Sequence, residues 1–352
     1  MKQKMDSLPR KAIWYLQLGL ILLVVLILAL IFFGGETVLG LKPAPVRLLV
    51  YALSTHEEVL TQAILPRFEQ AWESESGQDL EIRTVFDPSG TLAGQINLGA
   101  PADFALFSNV RHVKWLKFGR MINNETQLGI IGYSPMVIVT RQGNPHNITR
   151  YEDLQQPGLQ LLHADPRSSG AGEWSLLAEY GSSWLESNDL QVAKEGLMKI
   201  WENVRLLGPS ARVSLILFEL GACDALITYE QDARLAQERG VPLEIVVPPD
   251  TIVAEHVAVI VDKNVTHSER PVVEALMDYL LSSEGQQIFE RYHLRPVIHS
   301  EQSFPGSTHF YTVEDLGGWD HVYKGMLEPL WQKEIEPHLD LDSSPSLIQP
   351  GE

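Results

Sequence analysis

Residues 47–72 read RLLVYALSTHEEVLTQAILPRFEQAW and contain the pattern that decides the fold. The first seven residues, 47–53, form a short apolar run typical of a strand, and from Glu57 to Trp72 the apolar residues fall on one helical face. The Ser-Thr-His-Glu-Glu junction between them predicts a helix start, because hydroxyl and carboxylate side chains cap free backbone N–H groups. The stretch therefore predicts a strand that leads directly into a helix.

The same alternation of strand and helix patterns continues along the chain. Further strands are predicted at 80–86, 103–108, 136–141, 159–164, 225–229, 243–247 and 256–261. Further helices are predicted near 92–98, 171–181, 189–202, 213–221, 230–238 and 270–292. Such alternation predicts an α/β chain with mixed, mostly parallel sheets.

The composition excludes several functional classes. The chain has 352 residues, of which 45% are hydrophobic and 20% charged, as is typical of a globular protein. Its formal net charge of -18 disfavours a nucleic acid partner, because such binding depends on cationic contacts to phosphate. The single cysteine, Cys223, excludes an internal disulfide and a cysteine-rich metal centre. We expect no cofactor and no metal.

The sequence lacks the motifs of common enzyme classes. His56 and Glu57 begin like a zinc-binding H-E-x-x-H motif, but Leu60 stands where the second histidine belongs. There is no G-x-S-x-G nucleophile elbow and no G-x-x-x-x-G-K-[ST] phosphate-binding loop. We therefore expect a protein that is not an enzyme.

The N-terminal part of the chain predicts a membrane anchor. Residues 12–33 are apolar apart from Gln17 and Gly19, and a helix of this length crosses a bilayer. The residues before it carry a net charge of +3, and positive flanks stay cytoplasmic. We expect a cytoplasmic tail over 1–11, a transmembrane signal anchor over 12–33 and a tether over 34–46, with the bulk of the chain on the extracytoplasmic side of the cell membrane. A cleaved signal peptide is the alternative.

Four strand-to-helix junctions, at 51–58, 86–92, 165–174 and 229–232, carry small and hydroxyl side chains. In open α/β sheets, ligands bind beyond the carboxyl ends of strands, where such junctions lie. All four offer hydrogen-bond donors without a cation, and helix N-termini bind anions through their dipoles. They predict a site for a small ionised anion, with Arg212 as a candidate source of added charge. Plain helix capping is the alternative at each junction.

Several of these segments resemble extracytoplasmic receptors of bacterial ABC importers. Residues 89–103, SGTLAGQINLGAPAD, are similar to the S-S-T-L-A-x-Q-I-x-x-G-A-P-A-D segment of molybdate-binding proteins. Residues 168–174, SSGAGEW, resemble the T-S-G-G-A-R-W turn of sulfate-binding proteins, with Glu173 in place of the arginine. Residues 226–230, LITYE, resemble L-I-A-W-E of the sulfate family, and Tyr229 matches the ligand tyrosine of the molybdate family.

The resemblance implies a fold and its domain boundaries. The implied fold is the two-lobed type II periplasmic-binding-protein fold, α/β with mixed sheets, preceded here by one transmembrane helix. The chain is expected to cross between the lobes near 129–133 and 253–256. The expected boundaries are 47–130 plus 257–325 for lobe 1, 131–256 for lobe 2, and 326–352 for a C-terminal tail.

The resemblance also implies a ligand and the residues that hold it. The expected function is capture of a tetrahedral oxyanion for an ABC transporter permease. Molybdate or tungstate stands slightly ahead of sulfate, because the sulfate-family Y-D-P-T opening is missing after Tyr51. A ferric-iron or other small-solute binding protein, and a non-transport sensory ectodomain of the same fold, are the alternatives. The implied ligand-binding residues are Ser54, Ser89, Ser169, Gly170, Ala171 and Tyr229. Further candidates are Thr55, Gly90, Ser168 and Arg212.

The chemistry of such a site predicts that phosphate is rejected. N–H and O–H donors suit a dianion without protons, whereas hydrogen phosphate also needs an acceptor for its own proton. Asp87 is an acidic residue close enough in sequence to supply one. It precedes Pro88 in a predicted turn and is expected to face solvent.

Overall fold

The structure is a computed structural model that describes residues 10–32, 44–126, 128–297 and 308–339. Its α-helices are α1 (Arg10–Phe32), α2 (Glu57–Val59), α3 (Leu65–Ser76), α4 (Ser89–Asn97), α5 (Val110–Phe118), α6 (Gly170–Ser187), α7 (Leu190–Trp201), α8 (Ala211–Glu219), α9 (Glu230–Glu238), α10 (Arg270–Leu281), α11 (Ser283–Arg291) and α12 (Trp319–Val322). Its strands are β1 (Val46–Leu53), β2 (Leu80–Asp87), β3 (Phe104–Phe107), β4 (Leu128–Arg141), β5 (Leu161–Ala164), β6 (Val204–Gly208), β7 (Ala225–Tyr229), β8 (Leu243–Val246), β9 (Asp250–Ile260) and β10 (His309–Tyr311). Helices and strands alternate, so the predicted α/β class is confirmed.

The N-terminal helix α1 covers most of the segment predicted to anchor the chain. A membrane span must be both long and apolar within one helix. No helix in the described part of the chain meets both conditions. The predicted transmembrane helix is therefore not supported. Residues 1–9 of the tail predicted over 1–11, residue 33 of the predicted anchor and residues 34–43 of the tether predicted over 34–46 lie outside the described residues.

The chain divides into two compact units. The smaller comprises Met1–Val46 and Glu69–Glu81, and it contains α1 and the C-terminal part of α3. The larger comprises Arg47–Phe68 and Ile82–Glu352. Nearly all of the sheet and the whole candidate site lie in the larger unit.

The strands form one mixed sheet in the order β2-β1-β3-β9-β4-β7-β5-β6, with β10 on β9 and β8 on β4. β1 pairs parallel with β3, and β5 pairs parallel with β6 and β7. β4 runs antiparallel to β7, β8 and β9, and β9 runs antiparallel to β3. The sheet is mixed as predicted, but its antiparallel pairing is more extensive than the mostly parallel arrangement that we expected.

β4 and β9 join two groups of strands. The first strand group is β1, β2 and β3, and the second strand group is β5, β6, β7 and β8. β4 pairs with β9 as far as Pro135 and with β7 from Met136 onward, and β9 in turn pairs with β3, so the two strands connect the groups. The segments 129–133 and 253–256, where the chain is expected to cross between lobes, lie within β4 and β9.

Each strand group has its own hydrophobic core. Leu92, Ile96 and Phe107 belong to a buried cluster that packs around the first strand group. Trp174 and Ile227 belong to another cluster, around the second strand group. Burial of this apolar surface supplies the main favourable free energy of folding. The two strand groups therefore pack around separate hydrophobic cores.

Two elements, β6 and α5, were not predicted from the sequence, and residues 326–339 were predicted incorrectly. β6 has only its first and last residues buried, so its hydrophobic pattern is weak. The helix α5 was also missed, although Val113 and Leu116 bury one of its faces. Residues 326–339, assigned to a C-terminal tail, form helical turns whose Trp331 and Ile335 side chains pack into the core of the second strand group.

Candidate functional site

A small cavity of about 10 Å³ lies where strands of both groups end. Most of its lining comes from strand-to-helix junctions: Leu53, Ser54, Thr55, Pro88, Ser89, Ser108, Ser169, Gly170, Ala171, Ser210, Ala211 and Tyr229. β1 ends at Leu53, β3 ends one residue before Ser108, and β7 ends at Tyr229. The cavity therefore sits at the carboxyl ends of strands, where ligands of open α/β sheets bind.

Three helices begin at this cavity. The helix α4 begins at Ser89, α6 at Gly170 and α8 at Ala211. The first N–H groups of a helix have no acceptor within the helix, and the helix dipole makes this end partly positive. The cavity thus combines backbone donors with an electric field that favours an anion.

Three serine hydroxyls at the cavity have fixed hydrogen-bond directions. Ser169 Oγ accepts from the N–H of Ala171 at 3.2 Å, and Ser210 Oγ accepts from the N–H of Val213 at 3.1 Å. Ser89 Oγ accepts from the N–H of Ser108 at 3.0 Å. A hydroxyl has one hydrogen to donate in addition to its lone pairs. No hydrogen bond donated by these three hydroxyls occurs among the described residues, so the hydrogen of each is available to a guest in the cavity.

Two further hydroxyls at the cavity are buried without a hydrogen bond. Ser108 Oγ and the Tyr229 hydroxyl have no partner of acceptable geometry among the described residues. Burial raises the pKa of the Tyr229 phenol far above its usual value, and the nearby Ser108 opposes that rise only in part. Both groups stay protonated at neutral pH. A buried polar group without a partner costs free energy, so a guest that bonds to both hydroxyls would recover it.

No lysine or arginine is among the residues that line this cavity, within the part of the chain that the structure describes. Arg212, the candidate source of charge, instead donates to the Glu58 carboxylate. An acid lies just behind the lining, because Thr55 Oγ1 donates to Asp232 Oδ2 at 3.2 Å. Burial raises the pKa of Asp232 to about 7, against the opposing effects of Arg212 and Thr55.

Gly90 and Ser168 join the two sides of the site instead of lining it. The N–H of Gly90, in α4, donates to the carbonyl oxygen of Ser168 at 3.0 Å. A Cβ atom at Gly90 would stand 2.8 Å from that oxygen, so only glycine allows this approach. The Ser168 hydroxyl is directed elsewhere and donates to the carbonyl oxygen of Pro209 at 2.9 Å.

A buried ion pair adds a second link between the two sides. Arg111 in α5 pairs with Glu173 in α6, and Asn109 Nδ2 donates to the same carboxylate at 3.0 Å. The Arg111 guanidinium also lies 3.8 Å from the ring centre of Tyr323 and 4.5 Å from that of Trp115. Glu173 follows Ala171, a residue of the cavity lining, by two positions in α6, so the ion pair lies next to the cavity.

A pair of buried histidines lies behind Tyr229. His56 Nε2 and His256 Nδ1 are 2.7 Å apart, and the His256 ring meets the Tyr229 ring edge-on at 5.0 Å between centres. Burial lowers the pKa of His256 to about 3. Burial, together with His256, lowers the pKa of His56 well below its usual value. Both rings are neutral at physiological pH and add no charge to the site.

The structure brings together most of the residues singled out from the sequence. The six implied ligand-binding residues and Thr55 line the cavity, whereas Gly90, Ser168 and Arg212 do not. Ser108 and Ser210 were missed. Ser108 is the last residue of the strand predicted at 103–108, and Ser210 lies three residues before the helix predicted at 213–221. A search of every strand end and helix start for hydroxyl residues would have found both.

Two other expectations concern acidic and metal-binding groups. Asp87 Oδ2 accepts from Gln95 Nε2 at 3.2 Å, and Asp87 is not among the cavity-lining residues. Within the described ranges, no three or more His, Cys, Asp or Glu side chains gather in a way that could hold a metal ion.

Comparison with known proteins identifies the family. Residues 48–295 match the family of bacterial extracellular solute-binding proteins. The chain belongs to this family. A sulfate-binding protein of Synechococcus elongatus is 30% identical over 299 residues, which cover 80% of this chain and 83% of that protein. A molybdate-binding protein, ModA of Escherichia coli, is 27% identical over 225 residues, which cover 60% of this chain and 77% of that protein.

A solved structure supports the fold of this solute-binding protein. The sulfate-binding protein SubI from Mycobacterium tuberculosis H37Rv superposes with a TM-score of 0.72 and 27% sequence identity, over 81% of this chain and 100% of SubI. The predicted resemblance to oxyanion receptors and the two-domain α/β periplasmic-binding-protein fold are confirmed. The family consists of solute-binding proteins, so the prediction that the chain is not an enzyme is also confirmed.

Proposed function

We propose that this solute-binding protein captures sulfate outside the cytoplasm and delivers it to the permease of an ABC importer. The observation that carries the proposal is the cavity lined by hydroxyls and helix N-termini, without a lining cation in the described residues. Sulfate is a dianion at neutral pH that offers only acceptors, and Ser89, Ser169 and Ser210 each have a hydrogen to donate. The cavity therefore matches an oxyanion without protons.

Sulfate stands ahead of molybdate and tungstate in this proposal, which reverses the order expected from the sequence. The sulfate-binding relative matches a larger share of the chain, at higher identity, than the molybdate-binding relative does. Charge does not separate these anions, because all are dianions. Selectivity among them depends on size and on how far the two sides of the site close.

We propose that residues 47–130 with 257–325 form one lobe and that residues 131–256 form the other. β4 and β9 would then act as the hinge, since β9 pairs with β3 of the first strand group, β4 pairs with β7 of the second, and the two strands pair with each other. Ser89 and Ser169 would lie on opposite lobes, so an anion that bonds to both holds the lobes together. Closure of two lobes over a ligand is a familiar hinge motion of binding proteins.

The proposed ligand-binding residues are the six that the sequence implied, joined by three more from the cavity lining. Thr55, Ser108 and Ser210 are the additions. Gly170 contributes a backbone N–H group at the start of α6, whereas Ala171 lines the cavity and its own N–H donates to Ser169 Oγ. A donor lost to a dehydrated, charged guest costs about 1.5–3 kcal/mol, or about ten- to a hundredfold in affinity.

Titration calorimetry of the full chain with sulfate, molybdate, tungstate and phosphate tests the proposal. Sulfate is expected to bind one to one and more tightly than the other three, and excess phosphate should not displace it. Ser89→Ala and Ser169→Ala should each weaken sulfate binding by about ten- to a hundredfold. The matched control is Ser187→Ala, because this exposed serine is at the far end of the same helix as Gly170. Tight phosphate binding, or wild-type affinity in both serine variants, would overturn the proposal.

A further inference from the structure

Thr55 differs from the other hydroxyl residues that line the cavity. Its Oγ1 donates to Asp232 Oδ2 at 3.2 Å, and both residues are buried. A hydroxyl has a single hydrogen, so while the carboxylate is ionised that hydrogen points away from the cavity. The lone pairs of Thr55 then face the guest, which is unfavourable for an anion that can only accept.

The direction of this hydrogen bond depends on the proton content of Asp232. A protonated carboxyl group donates through its own O–H. If Asp232 carries a proton, it donates to Thr55 Oγ1, and the Thr55 hydrogen is free to turn into the cavity. One proton on a buried acid thus converts a cavity acceptor into a cavity donor and removes a negative charge next to the bound anion.

The surroundings of Asp232 allow its carboxyl group to gain or lose a proton near neutral pH. Burial raises the pKa of Asp232 to about 7. Arg212 and Arg239 oppose the rise, and Glu58 adds to it. Arg212 and Arg239 are themselves paired with Glu58, so they offset the buried charge of Asp232 only in part.

We propose that Asp232 takes up one proton from solvent when the anion binds, and that Thr55 then donates its hydroxyl hydrogen to the anion. The inference rests on the proposed function and extends it, because it makes capture of a dianion proton-coupled. The proton forms an O–H bond on Asp232, and no other covalent bond changes. Asp232 acts through Thr55, so it is a positioning residue that tunes which anions the cavity accepts.

The proposal also has a consequence for selectivity. Above neutral pH, ionised Asp232 keeps the Thr55 lone pairs toward the cavity, where they can accept the proton of hydrogen phosphate. Below neutral pH, Thr55 is a donor and the cavity suits sulfate better than phosphate. The preference for sulfate over phosphate is therefore expected to be greatest at low pH and to narrow as the pH rises.

Titration calorimetry of the full chain with sodium sulfate between pH 5.5 and 8.5 tests the inference. Sulfate stays a dianion over this range, so the protein supplies any pH dependence. The affinity should be nearly constant below pH 7 and should fall about tenfold per pH unit well above it. At pH 8, titrations in two buffers with different ionisation enthalpies should report close to one proton taken up per sulfate bound.

Two variants locate the proton. Asp232→Asn should bind sulfate without proton uptake and with an affinity that does not change with pH. The control is Asp87→Asn, which changes an acid outside the cavity lining. This variant should take up a proton on sulfate binding and show the same pH dependence as the wild type. Sulfate binding by the wild type without proton uptake at pH 8 would overturn the inference and leave the proposed function intact. Proton uptake that persists in Asp232→Asn would also overturn it. Absence of sulfate binding at every pH would overturn the proposed function and the inference together.

Discussion

The buried ion pair between Arg111 and Glu173 provides a strong test of how the two sides of the site hold together. Arg111 is 9% exposed and Glu173 is 4% exposed, so neither charge is well solvated once its partner is removed. The prediction is that loss of either charge destabilises the protein and that loss of both restores part of the stability. Arg111→Met keeps an unbranched side chain but loses the stacking of the guanidinium on Tyr323, and Glu173→Gln keeps an acceptor for Asn109.

The expected magnitudes follow from burial. Removing one partner of a buried ion pair costs about 3–5 kcal/mol in the free energy of unfolding, because the other charge stays desolvated. Replacing both partners by neutral groups of similar volume is often close to neutral. The double variant should therefore be more stable than Arg111→Met alone, with a coupling energy of about 2–4 kcal/mol.

Urea unfolding of the ligand-free protein, followed by tryptophan fluorescence, gives the free energy of unfolding for the wild type, both single variants and the double variant. The matched control is Lys114→Met, because the pair that Lys114 forms with Asp320 is exposed to solvent and contributes little to stability. Independent sites lose stability additively. The reasoning would therefore be refuted if the loss of unfolding free energy in the double variant equalled the sum of the two single losses to within about 0.5 kcal/mol.

Three further predictions concern the cavity and the buried acid. Tyr229→Phe should weaken sulfate binding about tenfold without loss of stability, because it removes a hydroxyl that has no partner in the ligand-free site; calorimetry and thermal unfolding check this. Gly170→Ala should abolish sulfate binding, since its Cβ would clash with Ser108 Oγ, whereas Gly94→Ala, with open space around its Cβ, should bind normally. The raised pKa of Asp232 contributes stability that is fully present below about pH 4, the unfolded value, and is lost as the pH rises through about 7. Asp232→Asn should therefore gain stability relative to the wild type between pH 4 and 7; an unchanged difference in unfolding free energy across that range would contradict the assignment.

Much of the site could be predicted from the sequence because its parts are local. A strand that ends in Leu53 and is followed by Ser54 and Thr55 is visible as a short apolar run before a capping motif. The same holds for Ser169, which caps α6 through the N–H of Ala171. Such signals depend on residues within one turn of each other, so no knowledge of the distant chain is needed. Resemblance to known receptors then suggested that these separate junctions share one ligand.

Other features could not be predicted because they depend on contacts between distant residues. Thr55 and Asp232 are 177 positions apart, and their hydrogen bond exists only because β1 and β7 end at the same cavity. Arg212 looked like a source of charge for the anion, but the fold directs it to Glu58.

By itself the sequence determined the alternation of strands and helices, the hydroxyl-rich junctions and the absence of an enzyme motif. Short-range periodicity and capping chemistry specify these features. Only the tertiary structure decided which junctions meet, which hydroxyls keep a hydrogen for the guest and where charge is neutralised. The physical reason is that a hydrogen bond or an ion pair acts over a few ångströms, so its direction and strength are fixed by residues that the folded sheet, and not the sequence, makes neighbours.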